Sequence, residues 1–102
     1  MSAVDQAEIL PFDINRVFKA LAEPVRLSIV RTLLNDVKNA ERHCSTFGLT
    51  VSRATRSHHF KVLKEAGLIE VVDKGNLAVA VLRWDEIERE LPGLITLIKK
   101  YP

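Results

Sequence analysis

Residues 52 to 67, SRATRSHHFKVLKEAG, run directly into residues 68 to 83, LIEVVDKGNLAVAVLR, and these two pieces determine the architecture. Ser52 is a good helix N-cap and Gly67 a good C-terminal stop, so a helix is expected from about Arg53 to Ala66. On a 100° wheel His59, Phe60, Leu63, Ala66 and, more loosely, Arg56 share one side, which should pack. Ala54, Ser57, His58, Lys61 and Glu65 share the other, which should face outward. Leu68 to Val72 and Leu77 to Arg83 are β-branched and aliphatic runs flanking Asp73-Lys74-Gly75-Asn76, whose residues tolerate positive φ; this is a β-hairpin signal.

Upstream, Asp13 can cap a helix whose Ile14, Val17, Phe18 and Leu21 recur at three- and four-residue spacing. Pro24 ends that helix and suits the first turn of the next. In the second, Leu27, Val30, Leu33 and Leu34 form the apolar face, with Arg26 and Arg31 assigned to the outer one. Residues 35 to 50 have weak periodicity and read as a loop with at most a short helix. Downstream, Asp85 is expected to cap a short acidic helix that Pro92-Gly93 interrupts, and Leu94, Ile95, Leu97 and Ile98 mark an apolar terminal helix. The order is α-α-(α)-α-β-β-α, a mainly α fold with a β-hairpin.

The 102 residues suffice for one compact domain, with 14 to 83 as its core and 1 to 13 and 84 to 102 as flanking segments. Hydrophobic residues at 47% and charged residues at 27% exclude a disordered or fibrous chain. The net charge of +2 is too small to indicate a nucleic-acid binder, but its placement is informative. Residues 51 to 64 hold Arg53, Arg56, Lys61 and Lys64 without an acid, whereas residues 1 to 15 hold Asp5, Glu8 and Asp13 without a base. No secretory signal and no apolar run of membrane-spanning length is read, so a cytoplasmic location is expected.

An outward polar helix followed at once by a hairpin is the layout of a winged helix-turn-helix. Such a helix enters the major groove, about 12 Å wide, while the hairpin tip lies along the backbone. Two motifs sharpen this expectation. VFKALAEPVRL, residues 17 to 27, resembles the opening signature of the ArsR/SmtB transcription regulators, and SHHFKVLKEAGLI, residues 57 to 69, resembles the end of their recognition helix. The resemblance implies a dimeric regulator, read here as a repressor, whose recognition helices address two half-sites and whose release follows a small-molecule or redox signal. Three features depart from the family pattern: 43 to 49 lacks a well-formed positioning helix, Arg56 replaces an apolar residue, and the wing carries only Lys74 beside Asp73.

On this reading Arg53, Ser57 and His58 contact base edges, for which their donors and acceptors suit. Lys61, Lys64 and Lys74 meet phosphates, and Thr55 serves either purpose. Arg56 is open between a phosphate contact and a structural role on the packing side. A solvated helix face is the plain alternative for an isolated helix of this kind, and a winged-helix module for protein–protein interaction is the rival function. His59 reads as a core histidine.

Ile9, Leu10 and Phe12, with Leu91, Leu94, Ile95, Leu97 and Ile98, are more apolar side chains than so small a core should need, and they mark a dimer interface. The resemblance likewise implies dimerisation through the first and last helices. Metal sensing within the family would call for paired thiols on the early helix or His and acidic ligands on the last, and neither is present. Cys44 beside His43 provides at most two soft ligands, unless a site is shared between protomers or completed by His58 or His59, so no metal or other cofactor is expected. Cys44 is also a candidate redox thiol, with Arg42 and His43 to lower its pKa, set against a plain half-buried side chain. No phosphate loop, nucleophile elbow or zinc-protease motif occurs, and no enzyme is expected.

Overall fold

The computed structural model describes residues 12 to 102. Five helices and three short strands follow in the order α1 (Ile14–Ala22), α2 (Pro24–Leu34), β1 (Arg42–His43), a 3-10 turn (Cys44–Thr46), α3 (Arg53–Glu65), β2 (Ile69–Asp73), β3 (Ala78–Leu82), α4 (Trp84–Glu90) and α5 (Leu94–Lys100). Asp13 caps α1 by accepting the N–H groups of Asn15 and Arg16. Pro24 opens α2, and the cap is the Glu23 side chain, which accepts the Arg26 N–H at 2.9 Å. These caps satisfy amides that have no partner inside their own helix.

The helix–hairpin unit is built as its residues demand. Ser52 caps α3 by accepting the Thr55 N–H, and Gly67 ends it at φ +84°, where a side chain is disfavoured. The Gly67 N–H returns to the Lys64 carbonyl and the Leu68 N–H to the Leu63 carbonyl, a Schellman closure that brings the chain straight into β2. Buried Leu63 and Leu68 flank that closure within the core. Arg83, at the far end of the hairpin, donates from Nη1 to the Gly67 carbonyl at 3.1 Å, and its guanidinium lies over the Phe12 ring. Thus both ends of the hairpin are tied to the C-terminus of α3.

The sheet is three-stranded and antiparallel, in the order β1-β3-β2, with Ile69 opposite Leu82 and Asp73 opposite Ala78. The strand β1, where a loop was expected, pairs Arg42 with Ala80 and His43 with Val79. Two residues are too few for an alternating pattern to register, and the free edge of β3 organises them. The hairpin loop closes through the Lys74 N–H and the Leu77 carbonyl at 2.7 Å, with Gly75 at φ +85°.

Further corrections concern side chains. Asp85 does not cap α4, which begins one residue earlier; its carboxylate instead meets Lys38 Nζ at 2.6 Å. Arg26 points inward rather than outward, and Arg31 reaches the Tyr101 carbonyl. On α1 only Val17 and Ala20 are fully buried, so Ile14 and Phe18 are left exposed. The core unites Val17, Ile29, Val30, Leu33, Leu63, Ile69, Leu82, Ile87 and Ile95, drawn from all five helices and from β2 and β3, with Leu68 between α3 and β2.

Candidate nucleic-acid interface

The faces of α3 separate as the wheel requires. His59, Phe60 and Leu63 are buried, while Arg53, Thr55, Ser57, His58, Lys61 and Lys64 are exposed and Arg56 is half-buried. The burial of Phe60 and Leu63 fixes the helix to the body, and Phe47 adds an edge-to-face contact on the Phe60 ring at 5.2 Å. The helix therefore offers a polar ridge on a rigid base.

Beside that ridge runs an open groove between α3 and the hairpin. Arg53, Arg56, Ser57, Lys61 and Lys64 line one wall, and the hairpin turn from Gly75 to Ala78 lines the other. Four cationic side chains there face two carboxylates, those of Glu65 and Asp73, so the groove favours a polyanion. Three of the expected contact residues lie apart from it. Thr55 accepts the Ser52 hydroxyl, His58 is exposed but does not line the groove, and Lys74 at the wing pairs with Glu41 at 3.6 Å. The contribution of residues 43 to 45 to the groove was not readable in sequence, because it depends on the β1–β3 pairing, and that of residues 75 to 78 depends on how the hairpin folds back beside α3.

Cys44 lies half-buried in the same groove, and burial pushes its thiol up despite the opposing charge of Arg56. A redox sensor requires the reverse shift. Arg42, expected to assist the thiol, instead stacks over Phe47, pairs with Asp36 and donates to the Thr46 carbonyl. Among the described residues, no group of three or more His, Cys, Asp and Glu side chains converges on a point that could hold a metal.

Of the expected interface residues, Phe12, Ile95 and Ile98 are buried in the protomer's own core, and Leu91 and Leu94 pack against it half-buried. Leu97 is 54% exposed. The core thus takes up more of this set than expected, since α5 packs against α2 within the protomer. Ile9 and Leu10 lie outside the described residues. Ile14 and Phe18 on the first helix and Tyr101, just past the end of the last, are exposed apolar residues that the expected set omitted.

A helix packed on one side, polar on the other and continued into a two-stranded wing defines a winged helix-turn-helix protein of the DNA-binding class. Comparison with known proteins agrees. A helix-turn-helix domain family matches residues 21–72. An uncharacterized HTH-type transcriptional regulator, YceK of Bacillus subtilis (strain 168), is 37% identical over 82 residues, spanning 78% of this chain and 80% of that protein. An ArsR-like transcriptional regulator from Rhodococcus sp. RHA1 superposes with a TM-score of 0.56 at 24% identity, covering 85% of this chain and 80% of the other. The chain belongs to the helix-turn-helix transcriptional regulators, and its winged fold is the one that the ArsR-like regulator from Rhodococcus also has.

Among the described residues no helix is long and apolar enough to cross a membrane.

Proposed function

We propose that this regulator reads a specific DNA sequence as a homodimer on an imperfect palindrome, acting in the cytoplasm as a repressor that occludes a promoter. The observation that carries the reading is the division of α3: a buried apolar side, and an exposed side with Arg53, Ser57, Lys61 and Lys64 along one groove. Arg53 and Ser57 address base edges, with His58 beyond the groove as a further base contact. Lys61 and Lys64 bind phosphates, Arg56 supports them from the half-buried flank, and Thr55 and Lys74 add contacts at the two ends.

Dimerisation is supported by the apolar side chains left exposed on the first and last helices, Ile14, Phe18 and Leu97, and by Tyr101 just beyond the last. A two-fold pair would present two α3 helices to half-sites about one helical turn, or 34 to 36 Å, apart. Such a protein works without a catalytic centre, and the groove chemistry needs no cofactor.

The test begins with duplexes enriched from a random pool by the purified protein. Arg53→Ala and Ser57→Ala should weaken binding to the enriched duplex far more than to a scrambled one, whereas Lys64→Ala should weaken both alike. Equal, small effects from all three would sink the assignment, and failure to enrich any sequence would favour the protein-interaction module. Light scattering on the eluting peak should give a dimer, and Phe18→Glu or Leu97→Glu should convert it to monomer.

A further inference from the structure

We infer that Arg26 and His59 form a positioning clasp that sets the roll of α3 about its axis, and so the aim of its base-reading side chains; this rests on the DNA-reading function proposed above. The Arg26 guanidinium joins three helices. Its Nε donates to the Ala20 carbonyl at 2.9 Å and its Nη2 to the Lys19 carbonyl at 3.3 Å. Both carbonyls belong to the last turn of α1, where no helical N–H remains to satisfy them. Its third arm, Nη1, stands 3.1 Å from Nδ1 of the buried His59 on α3. The backbone N–H of the same arginine is held by the Glu23 cap, so the base of the side chain is fixed as well.

A guanidinium has donors and no acceptor, so Nδ1 must accept and the His59 ring proton sits on Nε2. The planar fork matches this three-point arrangement in a way that a lysine ammonium does not. Phe60, Leu63 and Ala66 anchor α3 by apolar contact, which has little directionality, whereas the hydrogen bond to Arg26 is directional. Side-chain atoms lie about 5 to 6 Å from a helix axis, so a roll of about 10° moves them by about 1 Å. That displacement is enough to break a hydrogen bond to a base edge. Apolar packing therefore holds the helix on the body, and the clasp holds its angle.

The variants to compare are His59→Leu, which removes the acceptor, His59→Asn, whose carbonyl oxygen can take the place of Nδ1, and Arg26→Lys. Each is melted, then titrated against a duplex enriched by the wild type and against a scrambled duplex. His59→Leu and Arg26→Lys should remain folded and keep low-salt binding to the scrambled duplex, but lose about tenfold in preference for the enriched one, a coupling of the size seen between contacting residues. The double variant should be no worse than either single one, and His59→Asn should recover most of the preference. Nitrogen-15 spectra of the imidazole should place the proton on Nε2. An unchanged preference in His59→Leu overturns the clasp, as does a proton on Nδ1, or losses that merely follow the folded fraction and are not recovered by Asn. A wild type that enriches no sequence refutes DNA reading itself, a different outcome from enrichment that His59→Leu leaves intact.

Discussion

Replacing Lys64 by Ala should change how binding responds to salt. The side chain is exposed on α3, lines the groove and makes no ion pair among the described residues, so its charge is available to a phosphate. Each phosphate contact on duplex DNA contributes about 0.9 to the slope of log affinity against log salt. A two-fold dimer makes every contact twice, so the variant's slope should be shallower by about 1.8. Raising salt from about 50 to about 200 mM spans about 0.6 logarithmic units, and over it the wild type should lose about tenfold more affinity than the variant. Anisotropy titrations of a labelled duplex at several salt concentrations measure the slope directly. A slope equal to the wild type's, with affinity reduced uniformly, would refute the phosphate role. A change of only about 0.9 would mean that a single protomer engages the duplex.

Glu41→Gln should raise affinity for duplex DNA, because it frees Lys74 from its partner and removes a negative charge near the wing; unchanged binding would place Lys74 away from the phosphates. Gly67→Ala forces a side chain into φ +84° and should cost about 1 to 2 kcal/mol by denaturant unfolding. The Glu23 carboxyl is held below its ordinary range, chiefly by accepting the Arg26 N–H. The stability it contributes is complete above its unfolded value near 4.5 and fades as pH falls through the lowered folded value, so Glu23→Gln should flatten the acid-side fall in Tm. Because burial pushes the Cys44 thiol above its ordinary range, its alkylation should be slower than that of a free thiol at pH 8 and should accelerate only at more alkaline pH.

The helix–hairpin unit was legible because strong local signals agree there: Ser52 and Gly67 mark the ends of α3, Phe60 and Leu63 its buried side, and Gly75 the turn. Likewise, Asp13 and Pro24 placed α1 and α2 within a residue or two. What escaped depends on contacts distant in the chain. The strand β1 exists only because β3 offers an edge, and the inward turn of Arg26 is set by the Lys19 and Ala20 carbonyls together with His59, 33 residues away. The apolar terminal helix was rightly read as a helix, but which of its side chains α2 would cover is a question of packing; Ile95 and Ile98 are covered and Leu97 is not. Of the groove, the α3 wall was visible in sequence, and the opposing hairpin wall was not.

The Schellman closure at Gly67, locked by the Arg83 guanidinium, leaves no hinge between the reading helix and the wing. The two contact elements are in effect one tool with two edges, whose separation is set during folding. In the dimer proposed above, a signal that loosened the grip on DNA would therefore have to swing this tool as a whole, altering the distance between the two copies, because bending it would first require breaking the joint that defines it.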